Sequence, residues 1–146
     1  MTSEVETLLN EVRLLYHRMI QVGEQLHAGE SVTLGMRAVL EFLLKNGPTT
    51  VPDIARSRSV TRQHIQSLVN ALLEQDLVVF EDNPLHKRSS FVALTRGGER
   101  VIQRMRTREG QLYQATDFGV KRDQLETAAR TLGHVRLALK GTGEER

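Results

Sequence analysis

Five uncharged side chains that can form hydrogen bonds lie close together in the middle of this 146-residue chain: Gln63, His64, Gln66, Ser67 and Asn70. At about 100° per residue, Gln63, Ser67 and Asn70 share one side of a helix, and His64 and Gln66 flank them. An ordinary solvated helix carries Glu and Lys on that side, because they are strong helix formers. Gln and Asn can instead make paired hydrogen bonds to adenine in the major groove of DNA. The pattern therefore predicts a helix face that contacts base edges.

Side chains suited to phosphate binding accompany this face. Arg58, Thr61 and Arg62 precede or begin the helix, where backbone N–H groups also favour anions. Lys87 and Arg88 lie further along the chain in a loop-forming segment. A narrow minor groove concentrates negative potential and attracts a cation that is held on a loop. We therefore expect phosphate contacts at the start of the helix and a minor-groove contact from Arg88, together with Lys87.

The positive charge is concentrated in the same part of the chain. Residues 56–108 contain ten Lys and Arg against five Asp and Glu, which gives this window a net charge of +5. The remaining residues carry a net charge of −3, so the formal total of +2 hides a basic middle between acidic ends. A localised positive surface of this kind is typical of proteins that bind polyanions.

Hydrophobic spacing indicates the helices that position these groups. Apolar residues recur every three or four positions in segments that predict helices at 4–27, from the capping residues at 31–34 to Asn46, around 54–55, and at 62–75, 96–113 and 123–139. Thr50 and Thr61 are expected to cap the third and fourth helices, with Asp53 completing a capping box at the third. The first helix has an apolar stripe wide enough to need cover from another subunit.

Two β-rich runs, Leu77–Asp82 and Ser90–Leu94, predict a hairpin with the basic residues near its tip. A short helix, a turn and a second helix followed by a hairpin form the order of a winged helix-turn-helix. The expected fold class is mainly α with a small β-hairpin wing (α+β). Residues 31–109 are predicted to form the winged helix-turn-helix, and residues 1–30 and 110–146 a helical dimerisation region from both termini, within a single compact chain unit.

Composition excludes several classes of protein. The chain has no cysteine, so it can have no disulfide, thiolate nucleophile or thiol redox switch. No segment approaches the roughly 20 apolar residues that cross a bilayer. The acidic start does not resemble a secretory signal. We therefore expect a cytoplasmic protein with no membrane partner, which is associated with the nucleoid when it is bound to DNA.

The alternatives are an enzyme, a metal-responsive regulator and a helical protein-interaction dimer without DNA binding. The sequence lacks the G-x-S-x-G elbow and the phosphate-loop and dinucleotide-binding motifs, so we predict no enzyme and no cofactor. The five histidines have no H-x-x-x-H spacing or cysteine partner, so no metal site is predicted. A protein-interaction dimer would explain the amphipathic helices, but not a basic loop beside an uncharged helix face.

Two segments resemble the multiple-antibiotic-resistance regulator (MarR) family of bacterial transcription factors. The family's pattern of D-x-R, five residues and L-T-x-x-G is similar to His86-Lys87-Arg88-Ser89-Ser90-Phe91-Val92-Ala93-Leu94-Thr95-Arg96-Gly97-Gly98. Its pattern L-V-D-x-L-x-x-x-G-L-V is similar to Leu68-Val69-Asn70-Ala71-Leu72-Leu73-Glu74-Gln75-Asp76-Leu77-Val78. The order and spacing of these segments match, and the resemblance extends over nearly the whole chain.

The resemblance implies a homodimer with interwoven first and last helices and two winged modules on a near-palindromic operator in double-stranded DNA. Arg88 falls on the family's wing arginine. Family members are usually repressors released by a small molecule, often a phenolic or aromatic acid, in a cleft between the dimer helices and the winged module. We therefore predict a dimeric repressor whose DNA binding is modulated by such an effector. Tyr16, His17 and Arg37 could line a cleft, but no effector-binding residue is assigned.

Several positions depart from the family pattern. His86 stands where a wing Asp is usual, which removes the family's Asp-to-Arg pairing and predicts a looser or pH-sensitive tip. Arg58-Ser59 occupies the usual Leu-Gly of the turn. Ser67 stands where an Arg is common, and Asp76 where a Gly is usual. These departures bear on sequence preference more than on the fold.

Overall fold

The computed structural model describes residues 1–86 and 88–142. Within those ranges the chain forms helices α1 (Thr2–Leu26), α2 (Leu34–Asn46), α3 (Val51–Arg58), α4 (Arg62–Glu74), α5 (Arg96–Ala115) and α6 (Arg122–Lys140), and strands β1 (Thr49–Thr50), β2 (Val78–Glu81) and β3 (Phe91–Leu94). This element order confirms the predicted mainly α fold with a β-hairpin wing. In the described ranges, no helix is both long enough and apolar enough to span a membrane.

The chain divides into two compact units, Met1–Gln111 and Leu112–Arg146. The first unit has an aliphatic core to which α2, α3, α4, β3 and α5 all contribute. Its fully buried members include Leu40, Ile54, Ile65, Val69, Leu72, Val92 and Ile102. Each large apolar side chain buried in this way stabilises the fold by about 1.5–3 kcal/mol relative to leaving it exposed. The core therefore fixes one face of α4 against its neighbours.

The three strands form one antiparallel sheet in the order β1-β3-β2. The hairpin predicted from the two β-rich runs is present, and it pairs Val78 with Leu94 and Glu81 with Phe91. Strand β1 adds a second partner for β3, with Thr50 opposite Phe91. The sequence did not predict β1, because two threonines are too few to show the alternation by which a strand is recognised.

Side-chain caps fix the start of α3 and of α4. The Thr50 hydroxyl accepts a hydrogen bond from the Asp53 N–H at 3.3 Å. The Thr61 hydroxyl accepts one from the His64 N–H at 3.0 Å. Both predicted caps are confirmed, but the predicted capping box at α3 is wrong. The Asp53 carboxylate instead accepts a hydrogen bond at 2.7 Å from Arg56, a charged donor one turn further along α3.

The start of α5 is packed directly against the start of the hairpin. A Cβ atom added to Gly98 would lie 1.9 Å from the Leu77 carbonyl oxygen, so only glycine fits at this crossing. The Thr95 hydroxyl accepts from the Gly98 N–H at 3.0 Å and donates to the Asp76 carbonyl oxygen at 2.6 Å. These contacts give the L-T-x-x-G pattern a physical reason: the threonine caps the helix and the glycine permits the close approach.

Two non-glycine residues adopt left-handed backbone conformations at the ends of helices. Ser59, which follows α3, and Asp76, which follows α4, both have φ of 56°. Glycine is the residue that adopts this conformation at least cost. These are the two positions at which the sequence departs from a usual glycine, so the fold keeps the turns despite the substitutions.

Large apolar side chains remain exposed in each unit. On α1 they are Leu14, Leu15, Tyr16 and Met19, with exposed fractions of 48–57%. In the second unit, Phe118, Leu125 and Leu137 have exposed fractions of 55–58%. Clusters of exposed apolar side chains usually mark surfaces that contact another molecule.

Candidate nucleic-acid interface

Helix α4 has one buried face and one face open to solvent. Ile65, Val69 and Leu72 are buried in the core. The polar side chains predicted to contact bases, Gln63, His64, Gln66, Ser67 and Asn70, are all exposed. The amphipathic pattern thus presents a strip of neutral hydrogen-bonding groups, which is the chemistry that base edges require.

The predicted phosphate-binding residues surround the N-terminus of α4. Arg58 is the last residue of α3, Thr61 is the cap of α4 and Arg62 is its first residue. All three are exposed. The first N–H groups of a helix and its macrodipole favour a negative charge at this end, and two guanidinium groups add to that preference.

A groove joins α4 to the wing. It has a volume of about 480 Å³, and Arg62, Gln63 and Gln66 line it together with Arg88. Phe80 on β2 also contributes to its wall. The structure therefore brings the exposed face of α4 and the wing arginine onto one continuous surface, although they are separated in sequence.

Local hydrogen bonds shape the tip of the wing. The Asn83 side chain accepts from the Leu85 N–H at 3.1 Å, and the Asn83 carbonyl oxygen accepts from the His86 N–H at 3.2 Å. His86 and Arg88 are exposed. Lys87, the other predicted wing cation, lies outside the described residues. These two hydrogen bonds to Asn83 hold part of the turn. His86, and not the family's usual Asp, stands at the wing position.

A buried charged cluster in the first unit was not predicted from the sequence. Glu109 on α5 is only 8% exposed. Its carboxylate accepts a hydrogen bond from the Arg37 Nε at 2.6 Å and a second from the other end of the same guanidinium. The His27 Nε2 lies 3.1 Å from the same carboxylate, and the His27 Nδ1 is buried without a hydrogen-bond partner among the described residues.

The missed cluster does have a sequence signal. Ile102, Met105 and Glu109 are all buried on α5, and their spacing of three and four residues places Glu109 on the apolar stripe. A carboxylate at such a position requires a partner from another element, because burying an unpaired charge is costly. The sequence does not show which cation is the partner of Glu109.

The hydrogen bonds that Arg37 donates to the Glu109 carboxylate raise the pKa of Arg37 above its ordinary value, so Arg37 stays charged. Burial acts to raise the pKa of Glu41, but hydrogen bonds from Lys45 and Arg37 outweigh it and lower that pKa. Tyr16 and His17 are exposed and pack edge to face with ring centroids 5.9 Å apart. Among the described residues, Arg37 makes its side-chain hydrogen bonds to Glu41 and Glu109 and none to Tyr16 or His17.

Metal ligation was a further alternative in the sequence. Within residues 1–86 and 88–142, no group of three or more His, Cys, Asp or Glu side chains is placed to hold a metal ion.

Comparison with known proteins agrees with this geometry. A family model described as MarR family matches residues 37–89. An uncharacterized protein of Mycobacterium tuberculosis is 33% identical over 103 residues, which cover 70% of this chain and 71% of the relative. A crystal structure of a MarR family transcription regulator is 26% identical and has a TM-score of 0.76, covering 100% of this chain and 99% of the other.

Two solved structures with bound molecules share the fold at lower identity. A mutant MarR from E. coli complexed with operator DNA is 20% identical with a TM-score of 0.79, covering 92% of this chain and 97% of the other. A Staphylococcus aureus MarR in complex with salicylate and kanamycin is 21% identical with a TM-score of 0.77, covering 94% and 93%.

The matched segment runs from α2 through the helix-turn-helix into the wing, which is the region that carries the groove. The chain belongs to the MarR family, and it is a transcription regulator of that family.

Proposed function

We propose that this regulator binds duplex DNA with α4 in the major groove and the wing in an adjacent minor groove. The observation that carries the proposal is the groove shared by Arg62, Gln63, Gln66 and Arg88. A helix fits the major groove, and a loop cation is attracted to a narrow minor groove. The E. coli MarR structure with operator DNA supports the proposal, because its fold is the same.

Each exposed group then has a stated role. Arg58, Thr61 and Arg62 contact phosphates and set the register of the helix on the duplex. Gln63, His64, Gln66, Ser67 and Asn70 contact base edges. Arg88, with Lys87, contacts the minor groove. Phosphate contacts supply affinity for any sequence, whereas base contacts supply preference between sequences.

The functional unit in this proposal is a homodimer on a near-palindromic operator. The helical segments 1–30 and 110–146 form its dimerisation region, and residues 31–109 form the DNA-binding module. The exposed apolar side chains on α1 and on the second unit support this assignment, because a second copy would cover them. Two modules related by a two-fold axis require half-sites about 10 base pairs apart.

The finer regulatory role is a repressor that a small aromatic or phenolic acid modulates. The S. aureus MarR, which shares the fold, was solved with salicylate. An effector that binds the DNA-free form better than the DNA-bound form would release the operator. The chain would act without catalysing a reaction and without a cofactor, in the cytoplasm and on the nucleoid.

A salt titration of DNA affinity tests the proposal. A dimer that makes roughly 6 to 10 phosphate contacts should bind about a thousandfold or more weakly at 200 mM than at 50 mM salt. Arg62→Ala should reduce the slope of log affinity against log salt by about two per dimer. Arg130→Ala on α6, which also removes an exposed cation, is the matched control and should leave the slope unchanged. A flat titration of the parent protein would contradict DNA binding.

The effector part of the proposal has its own test. DNA affinity is measured at fixed salt with salicylate and with benzoate, and the expected result is weaker binding in the presence of at least one of them. If a panel of aromatic acids leaves affinity unchanged while the salt dependence holds, the ligand-modulated role is wrong and the DNA-binding role stands.

A further inference from the structure

Gln66 and Asn70 are hydrogen-bonded to each other on the exposed face of α4. The Gln66 Nε2 donates to the Asn70 Oδ1 at 2.9 Å across one helical turn. Both residues are exposed, so the bond is not imposed by packing in the core. Gln66 also lines the groove that contains Arg88. One of the α4 side chains that line this groove is therefore already hydrogen-bonded to its neighbour.

The bond leaves a defined set of hydrogen-bonding groups free for a ligand. A glutamine amide has two N–H donors and one carbonyl acceptor. When one N–H is occupied by Asn70, the second N–H and the carbonyl oxygen remain as a donor and acceptor side by side. Adenine offers the complementary pair in the major groove, an acceptor at N7 and a donor at N6.

We propose that Asn70, in addition to the base contact assigned to it above, is a positioning residue that orients the Gln66 amide so that Gln66 selects adenine in the operator. This inference deepens the DNA-binding function proposed above and rests on it. A free glutamine on a helix surface samples many rotamers, and ordering it on a base costs conformational entropy. The bond to Asn70 restricts the Gln66 side chain before DNA binds, so less conformational entropy is lost when Gln66 contacts a base.

Selection of duplexes from a random library, followed by affinity measurements on the selected site, tests the proposal. The parent protein should select one adenine per half-site whose replacement by guanine weakens binding, and Gln66→Ala should abolish that preference. Asn70→Ala leaves Gln66 in place but unrestrained, and should reduce the adenine preference by about two- to tenfold, the usual worth of one hydrogen bond.

A conservative variant separates orientation from direct contact. Asn70→Asp still accepts the Gln66 N–H, so the adenine preference should be retained while the added negative charge weakens binding to all sequences. The double variant Gln66→Ala/Asn70→Ala should show no more loss of adenine preference than Gln66→Ala alone. Gln103→Ala is a matched control, because Gln103 also donates to a residue one turn away, Glu99, on a different helix. It should leave the preference unchanged.

The outcomes distinguish this inference from the proposed function. If Asn70→Ala keeps the full adenine preference, or if Asn70→Asp loses it together with Asn70→Ala, the positioning role is wrong although the protein binds DNA. If the parent protein selects no duplex and its affinity does not depend on salt, both the positioning role and the DNA-binding function are wrong.

Discussion

Glu109 is a carboxylate that is buried in the first unit. Its buried carboxylate holds Arg37 from α2 and His27 from the end of α1 against α5. We expect Glu109→Gln to lower the free energy of unfolding by about 1.5–3 kcal/mol, because Arg37 then loses its charge-assisted hydrogen bonds to Glu109 and keeps only its bond to Glu41. Urea unfolding of the two proteins measures the difference.

The matched control for this prediction is Asp53→Asn. Asp53 also pairs with an arginine, Arg56, but both side chains are more than half exposed. Exposed ion pairs contribute about 0–1 kcal/mol, so this variant should be nearly neutral. Equal losses in the two variants would mean that the buried cluster adds nothing beyond an ordinary surface pair.

Arg88 is the wing residue for which we predict a minor-groove contact. It lines the groove with Arg62 and is exposed to a ligand. Arg88→Ala should weaken binding by about 1–3 kcal/mol at operators with A·T-rich flanks and less at G·C-rich flanks, because the narrow groove carries the stronger negative potential. Competition between duplexes that differ only in their flanks measures this. An equal loss of affinity at A·T-rich and G·C-rich flanks would mean that Arg88 contacts phosphates and not the minor groove.

At the scale of elements, Gly98 sets how α5 begins against the hairpin. A Cβ at Gly98 would meet the Leu77 carbonyl oxygen, whereas a Cβ at Gly110 on the same helix would meet no atom within 4 Å. We therefore expect Gly98→Ala to destabilise the protein by about 1–3 kcal/mol or more through a forced backbone shift. Gly110→Ala should stabilise it by about 0.5–1 kcal/mol through helix propensity. Thermal unfolding of the pair should show opposite signs, and two shifts of the same sign would contradict the crossing described here.

The turns after α3 and α4 offer a second test at this scale. Ser59 and Asp76 are held at positive φ, where glycine is favoured. Ser59→Gly and Asp76→Gly should each raise the free energy of unfolding by about 1 kcal/mol, since the left-handed conformation costs other residues about that much. Two unchanged stabilities would indicate that side-chain bonds at these turns already compensate the cost.

Glu30, in the loop that follows α1, pairs with two arginines of α5, and this contact should make stability depend on pH. A hydrogen bond from Arg104 lowers the pKa of Glu30, and Arg108 makes a smaller contribution in the same direction. Together they outweigh the burial of Glu30, which acts to raise that pKa. A carboxylate whose pKa is lower in the folded state stabilises the protein above its unfolded pKa and loses this contribution as the pH falls through the folded pKa. The stability lost in Glu30→Gln should therefore be constant near neutral pH and shrink below the ordinary value of 4.5. A difference that persists unchanged at pH 3 would contradict this linkage.

The sequence predicted the elements well because each depends on local patterning. Thr61, the apolar spacing of α4 and the two β-rich runs are short-range signals, and the helix and hairpin that they indicate are present. Contacts between distant segments were not predictable in the same way. The pairing of Glu109 with Arg37 spans 72 residues, and β1 is only two residues long, so neither leaves a local pattern that identifies its partner. The roles of the exposed residues in DNA binding remain predictions.

For the whole molecule, DNA binding at two half-sites requires a dimer. Leu15 on α1 is 57% exposed in the single chain and belongs to the apolar stripe. Leu15→Glu should shift sedimentation from dimer to monomer, because a charge would be buried at the interface without a partner. Glu11→Gln, a polar change at an exposed position of the same helix, is the control. A parent protein that sediments as a monomer at micromolar concentration would contradict the dimer.

If α4 and the wing form one DNA-binding surface, both must lie close to the same duplex. Because the chain has no cysteine, Ser67→Cys on α4 or Ser89→Cys on the wing can each carry a single DNA-cleaving iron chelate. We predict cleavage within each half-site from position 67 and in its flank from position 89, with the pattern occurring twice about 10 base pairs apart. Cleavage from only one of the two positions, or none above that of a chelate placed at Ser3→Cys, would contradict it.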